Sequence, residues 1–377
     1  MAPIKLGFVG LSSKGWATTV LAPPLFQPPL DSQYTLTALS TTNEASAAES
    51  ALKWSAGKHK KVKPYHGDGA QIAQDPDVDL VVVSVKGPQH RGPTLAAIEA
   101  GKDVFVEWPA GKNLKETQEL YEAAKKKGVR TIVGCQGRQS PVIKKLKEIL
   151  DSGDIGKVLS TSVVARIPHT LYYWGPYIRK SNYHLTALQE NGSTQLDIAL
   201  GHFLEPFTYA LGPITTISGS TLVCQWPTAQ IVDDQGKPTG ETLPQDGPTQ
   251  IAFNGTLQNG AVISQHWRGG LEPGPGTGDG VAPLGLIWTI DGEKGNVTIE
   301  SDMPLLHIVA PRLFLNGEQI LIEEDGSMIA NVGRAWEEYA KGEGKGDYPT
   351  FEDALRLRTL LDAISRSSAE GRKVDLT

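Results

Sequence analysis

The sequence predicts a doubly wound α/β domain followed by an α+β domain with a large, mostly antiparallel open sheet. Three observations carry that expectation. The first third alternates short apolar runs with helical stretches, and residues 78–85 (VDLVVVSV) are almost wholly apolar and β-branched, as a strand covered on both faces is. After about residue 140 strand-like runs follow one another with only turn residues between them. A length of 377 residues also exceeds the usual size of one domain.

Taken in order, residues 4–9 read as a short buried strand that breaks at Gly10, and a helix is expected after Gly15. Residues 34–39 read as the second strand and 44–54 as a helix. The strand over 78–85 leads to a helix over 93–100 that stops at Gly101, and then to a strand over 103–106. Residues 114–127 form an amphipathic helix, with Leu120, Ala123 and Ala124 on one side and Gly128 as its stop. One more strand covers 130–133. This βα alternation argues for a parallel sheet.

In the second part, helices are expected over 143–150 and 193–211, with a strand over 158–167. Strands follow over 214–223, 249–257, 261–268, 286–291 and 295–300, and a terminal helix over 351–366. The expected division is 1–137 and 138–377, with the terminal helix packing back near the domain junction. Residues 227–248 and the Gly/Pro-rich 269–285 read as long, mobile loops.

Composition excludes several classes. Apolar residues at 39% and charged residues at 21% suit a soluble globular chain. Lys+Arg minus Asp+Glu is 36 − 42 = −6, so no basic surplus exists to grip nucleic acid directly. Cys135 and Cys224 make no disulfide framework, and a reducing, cytoplasmic setting is expected. No run of 18 apolar residues occurs, so no membrane association is expected. The eight histidines include no His-x-x-x-His pair and there is no Cys-x-x-Cys, so no metal is expected. Neither an ATP-type Gly-x-x-x-x-Gly-Lys-Ser/Thr loop nor a Gly-x-Ser-x-Gly nucleophile elbow is present.

The first strand runs into Gly10-Leu11-Ser12-Ser13-Lys14-Gly15, one step from the dinucleotide fingerprint Gly-x-Gly-x-x-Gly. Gly10 would permit the tight turn, and Gly15 would let the following helix lie close to the strand. Ser12 stands where a second Gly normally lets backbone approach a pyrophosphate, and its hydroxyl can donate to phosphate. The tip of the second strand, Ala38-Leu39-Ser40-Thr41-Thr42-Asn43, has no acid before Glu44. Nothing there repels a 2′-phosphate and Lys14 can reach one, so NADP is slightly favoured over NAD, although no arginine clamp is visible.

Phe105-Val106-Glu107-Trp108-Pro109 ends a predicted parallel strand, on the edge where such sheets bind ligands. With the GFVGL start and His90 in VSVKGPQH, it resembles the Gfo/Idh/MocA (glucose–fructose oxidoreductase/inositol dehydrogenase) family, and the resemblance spans essentially the whole chain. Ser152-Gly153-Asp154-Ile155-Gly156, the Asn191-Gly192 that leads to Gly201-His202, and the closing FEDALRLRTLLDAISRSSAEGRKV are of the same type. GFVGL…KGWA, FVEW and the run from Gln136 to Pro141 resemble the fungal galactose-regulatory repressor branch of that family. The resemblance implies a Rossmann domain carrying NAD(P), an open sheet that serves as a dimer face, and hydride transfer on sugars, cyclitols or related polyols.

Two departures from the family pattern matter. Its usual Glu-Lys-Pro places a lysine beside the reacting hydroxyl, and here that position is Trp108, whose indole cannot act as a general acid or base. Trp108 is then either a packing residue under the nicotinamide or a stacking platform for substrate, and retained Pro109 implies a cis peptide. The family's Asp-x-x-x-His pair is matched by His202, but Asp197 lies five residues earlier rather than four. On a helix that turns it about 100° off the expected face unless a local turn restores it. His202 either faces substrate or is a core histidine bonded to backbone.

Other groups must then supply acid–base chemistry. The segment from Arg166 to Tyr177 is dense in His, Tyr and Trp, as a polyol or aromatic site would be, and offers His169, Tyr172 and Tyr173, with His184 nearby in sequence. The catalytic candidates are His202, Tyr172, Tyr173 and Asp197. The cofactor candidates are Gly10, Ser12, Ser13, Lys14, Gly15, Trp16, Ser40, Lys86, His90, Glu107, Trp108, Pro109 and Arg138. Lys86 either replaces the lost charge or faces solvent, and Arg138 either binds ligand oxygens or makes a domain-junction salt bridge. Two functions fit: an NAD(P)-dependent oxidoreductase acting on a sugar-like or other small hydroxy/keto compound, or a non-catalytic dinucleotide-binding transcriptional regulator with a transcription-activator partner and a nuclear location. A homodimer is expected in either case.

Overall fold

The computed structural model describes residues 2–56, 61–180, 184–272 and 284–376. Two compact units divide the chain, one made of residues 1–139 and 328–356, the other of 140–327 and 357–377.

The first unit is a six-stranded, wholly parallel sheet of β1 (Ile4–Val9), β2 (Tyr34–Thr41), β3 (Lys63–His66), β4 (Leu80–Val83), β5 (Asp103–Glu107) and β6 (Thr131–Gly134). Its spatial order, β3-β2-β1-β4-β5-β6, is that of doubly wound dinucleotide folds. The order reverses between β1 and β4, and the crevice at their carboxyl ends is the binding edge of such sheets. β4 reads Leu-Val-Val-Val and is fully buried, because helices cover both faces. Helices α1 (Glu44–Ser55), α2 (Ala70–Gln74), α3 (Arg91–Glu99) and α4 (Leu114–Lys127) fill the crossovers. Asn43 and Asn113 cap α1 and α4 by accepting from Ser46 N–H and Glu116 N–H, each at 2.9 Å. Gly128 stops α4 in the left-handed conformation.

The helix expected after Gly15 is only a wide π turn, Ala17–Leu21. Pro23 and Pro24 follow and the chain tightens into a 3₁₀ turn, since a proline ring clashes with a continuing helix. β3 was not expected: it is four residues long, starts Lys-Pro, and lies at the sheet's edge, so it lacks the apolar pattern of an inner strand.

The second unit begins with α5 (Pro141–Ser152) and holds a nine-stranded mixed sheet. Its strands are β7 (Val158–Pro168), β9 (Ile214–Val223), β12 (Gln250–Leu257), β13 (Val262–Leu271), β14 (Leu286–Gly292), β15 (Asn296–Ser301), β16 (Arg312–Leu315), β17 (Glu318–Ile320) and β18 (Val374–Asp375). β7 and β13 pair in parallel and every other neighbouring pair is antiparallel. α6 (Gly201–Leu211) covers one face, setting Phe203 and Phe207 against Trp267 and Trp288 at 5.1–5.4 Å. The other face leaves Val164, Ile287 and Val262 exposed.

Two expectations are corrected here. Residues 227–248 are not a plain loop: β10 (Thr228–Val232) and β11 (Pro238–Pro244) form a hairpin that joins β8 (Tyr177–Arg179) in a three-stranded sheet. The stretch expected as a loop from 269 begins inside β13, and residues 273–283 lie outside the described set.

The expected boundary also shifts, because residues 328–356 belong to the first unit. The cause is α7 (Met328–Ala340), whose Trp336 is fully buried between Phe105 and Tyr34, at ring distances of 4.9 and 5.7 Å. The Trp336 indole donates to Leu21 carbonyl at 3.1 Å, and Tyr34 hydroxyl donates to Trp336 carbonyl at 2.7 Å. Tyr339 donates to Asp103 at 2.7 Å, beneath the Arg130 guanidinium. Truncating Trp336 to Ala should therefore destabilise the protein by about 3–5 kcal/mol, read as a lower urea midpoint at unchanged slope.

Candidate functional site

At the end of β1 the backbone of Gly10 has φ +102°, and a Cβ built on it would stand 2.1 Å from the carbonyl oxygen of Ser84, just past β4. No side chain fits there. Gly10 N–H donates to Ser40 carbonyl at 2.8 Å and Ser84 N–H to Val9 carbonyl at 2.9 Å, so the turn is tied to the strands on both sides. Gly15 has φ +118°, but its only neighbour would be Ser12 Oγ at 3.7 Å. Its requirement is therefore conformational, and the expected close helix–strand approach is not what calls for glycine. Ser12 Oγ donates to Lys14 carbonyl and Ser12 carbonyl accepts from Thr18 Oγ1, so the serine is spent on shaping the turn. Ser13 lies on the same loop, and its carbonyl accepts from Lys53 Nζ at 3.1 Å. Lys14 is exposed. Ser40 is fully buried, and its hydroxyl has no partner among the described residues.

At the end of β5 the Trp108–Pro109 peptide is cis and Trp108 is buried. His90 is also buried, with Nδ1 2.8 Å from Pro109 carbonyl and Nε2 3.0 Å from Val85 carbonyl. It thus links the loop after β4 to the turn after β5, and burial lowers its pKa. Glu107 faces Gly134 across the β5–β6 pair, and a Cβ on Gly134 would lie 2.2 Å from Glu107 Oε2. Trp16 Nε1 donates to Glu107 Oε1 at 2.7 Å, joining the phosphate turn to the end of β5. Burial pushes the Glu107 carboxyl up to about 7, although the Trp16 indole and the Trp108 N–H pull the other way. Lys86 is exposed at the start of a 3₁₀ turn. Arg138 is mostly buried and pairs with Asp347 at 3.5 Å and Asp353 at 3.3 Å. Arg138 and both carboxylates lie within the first unit, so these ion pairs are internal to it and are not the domain-junction salt bridge expected.

In the second unit the residue inserted between Asp197 and His202 is absorbed by a π turn, Leu196–Leu200, in which Leu200 N–H reaches back five residues to Gln195 carbonyl at 3.1 Å. The expected continuous helix over 193–211 is therefore two segments. Asp197 accepts from Thr194 N–H at 3.0 Å and Thr194 Oγ1 at 2.7 Å, and forms a buried ion pair with Arg358. That engagement makes it a local structural anchor. His202 stacks on His307, with centroids 3.8 Å apart and planes 14° apart. Burial drives His202 down to about 3, and burial plus the neighbouring imidazole hold His307 well below its ordinary value. Both rings are neutral across the physiological range.

Tyr172 adopts φ +58° and sets its ring against Gly236 in the β10–β11 turn, with the Arg179 guanidinium 5.3 Å from the ring centre. Tyr173 packs on Trp174 at 5.3 Å, and its carbonyl accepts from Thr186 Oγ1 at 2.6 Å. His169 Nε2 lies 2.9 Å from a Glu272 carboxylate oxygen. The side chain of His184 is outside the described set.

Comparison with known proteins matches residues 4–135 to the profile described as "Oxidoreductase family, NAD-binding Rossmann fold", and residues 141–301 to "Gal80p, C-terminal domain". Dehydrogenase aclE of Aspergillus oryzae is 31% identical over 376 residues, covering 98% of this chain and 97% of that protein. The chain belongs to the Gfo/Idh/MocA oxidoreductase family. Within that family, the galactose/lactose metabolism regulatory protein GAL80 of Saccharomyces cerevisiae is 29% identical over 435 residues, covering 100% of this chain and 95% of that one. The crystal structure of the transcriptional regulator Gal80p from Kluyveromyces lactis superposes with TM-score 0.85 at 26% identity, over 99% of this chain and 94% of that one. Levoglucosan dehydrogenase in complex with NADH and L-sorbose shares the fold, with TM-score 0.77 at 20% identity and full coverage of both chains.

The first unit has the family's NAD-binding Rossmann fold, and the residues present at the β1–β4 crevice fit a dinucleotide. The space a Gly10 side chain would take is already closed by protein, so backbone alone can face a diphosphate there, and Lys14 stands beside it without a carboxylate partner among the described residues. Sequence reasoning missed Lys53, Arg358 and His307. Each reaches its partner across a long sequence gap, and none carries a local motif.

Glu107 gives a pH-dependent prediction. Its folded pKa lies above the ordinary 4.5, so its contribution to stability is fully present below about pH 4.5 and is lost as pH rises through about 7. Glu107→Gln should therefore gain on the native protein by about 3 kcal/mol between about pH 4 and pH 8. Denaturant melts of both proteins at the two pH values measure this; parallel curves would contradict it.

Proposed function

We propose that the chain is an NAD(P)-dependent oxidoreductase, with NADP preferred, that transfers hydride between the nicotinamide and a sugar-like or other small hydroxy/keto compound. The observation that carries this reading is the glycine-only turn at Gly10, at the switch point of an oxidoreductase-family sheet, where a diphosphate would rest. The full-length similarity to a dehydrogenase supports it. NADP is preferred because the tip of β2 offers no carboxylate to a ribose diol.

When bound, the nicotinamide supplies or accepts the hydride, and the protein must handle the hydroxyl proton. Trp108 cannot do so. Tyr172 is engaged by the β10–β11 turn and Asp197 by Arg358; of His202 and Tyr173, which remain, His202 is the one that matches the family's Asp-x-x-x-His pattern and is taken as the group that contacts the reacting hydroxyl. As a neutral imidazole it accepts a hydrogen bond from the hydroxyl, and His307 stacked on it fixes the ring plane. The exposed Val164, Ile287 and Val262 of the nine-stranded sheet suit self-association as a homodimer, for which sedimentation should give twice the chain mass.

A second reading, a dinucleotide-binding regulator of transcription, is favoured by Trp108 in the lysine position and by the match of residues 141–301. Its signature is capture of an acidic activator segment, altered by NADP and without turnover.

A panel of sugars, polyols and carbonyl compounds, assayed with NADP and NADPH by nicotinamide absorbance, decides between them. Turnover of at least one compound is expected, and His202→Ala should lower kcat by about 100-fold or more with dinucleotide affinity unchanged. No turnover across the panel, together with capture of the acidic segment, would overturn the enzyme reading.

A further inference from the structure

Lys53 is the group that the sequence reading left unused. It comes from the last turn of α1, yet its ammonium crosses to the phosphate turn and donates to Ser13 carbonyl at 3.1 Å. It does not wander freely. The Trp54 ring lies 5.4 Å from the same nitrogen, and Trp54 is itself stacked on Phe26 at 4.9 Å. Among the described residues Lys53 has no acidic partner, although Glu49 lies one turn earlier on the same helix. Lys14, two residues from the start of the turn's serine pair, has no acidic partner among them either.

Two exposed cations without counter-ions thus flank one loop, and a single carbonyl occupies one of the three donors on Lys53. The tip of β2 completes the picture. Asn43 is committed to capping α1, and Thr41 Oγ1 donates to Asn43 carbonyl at 3.2 Å. Neither residue carries the carboxylate that would grip a 2′,3′-diol, and Thr42 is exposed with a hydroxyl that can donate. The β2 tip has no carboxylate before Glu44, and the phosphate turn carries positive charge from Lys14 and Lys53, which is what a phosphate monoester requires.

We propose that Lys53, with Lys14, reads the 2′-phosphate of NADP(H), so that cofactor choice is set from the far end of α1 and from the turn. This rests on the reading above, that the β1–β4 crevice holds a dinucleotide and prefers NADP.

The test is equilibrium titration of the full chain with NADPH and with NADH at low salt, for the native protein, Lys53→Gln and Lys53→Arg. The native protein should bind NADPH more tightly than NADH. Lys53→Gln should weaken NADPH by about tenfold and leave NADH within about twofold, and Lys53→Arg should restore most of the preference. Raising the salt should erode the NADPH advantage of the native protein more than that of Lys53→Gln. A native preference for NADPH that survives unchanged in Lys53→Gln overturns the assignment of Lys53 and leaves the cofactor reading standing. Equal or tighter native binding of NADH overturns the NADP reading, and the role of Lys53 with it.

Discussion

The tight approach of Gly10 to the Ser84 carbonyl is the constraint on which the site depends. A hypothetical Cβ at 2.1 Å from a backbone oxygen cannot be relieved by rotating a side chain, because both partners are main chain, just past the ends of β1 and β4. The hydrogen bonds to Ser40 and from Ser84 hold the turn between β2 and β4. With its backbone fixed in this way, the loop from Ser12 to Gly15 can shape itself through its own serine and threonine contacts. Lys14 is then presented on it, and Lys53 reaches it from α1.

The other end of the crevice is built on the same economy of space. Gly134 on β6 leaves room for the Glu107 carboxyl, and the Trp16 indole reaches across from the phosphate turn to hold it. Desolvation raises that carboxyl toward neutrality. One half-buried hydrogen bond thus couples the glycine turn after β1 to the strand end that carries the cis Trp108–Pro109 peptide. His90 performs a related service by bridging the backbone after β4 to Pro109. The strand end is thus tied from both sides, by Trp16 and by His90, with Trp108 buried in it.

What could be read in the sequence and what could not follow a physical line. Residues 78–85 and 103–106 were legible because a strand buried on both faces must be apolar throughout, and Gly10 was legible because only glycine fits its turn. β3 and the β10–β11 hairpin were not, since exposed edge strands such as Pro238–Pro244 carry polar residues that read as loop. α7 was missed although it carries Trp336, because its place in the first unit is set by contacts with Phe105 and Tyr34, more than two hundred residues earlier. At the site, His202 and the cis proline stood out by motif. The π turn after Asp197 is local but carries no sequence motif, while the stacking of His307 and the reach of Lys53 arise only when distant segments meet.

The most direct measurement is calorimetric titration of NADPH into the native protein and into Gly10→Ala, with circular dichroism confirming that both are folded. The account predicts saturable binding to the native protein and its loss, or a weakening of at least about a hundredfold, in the variant. Undiminished affinity in a folded Gly10→Ala, or a native protein that binds no dinucleotide, would contradict it.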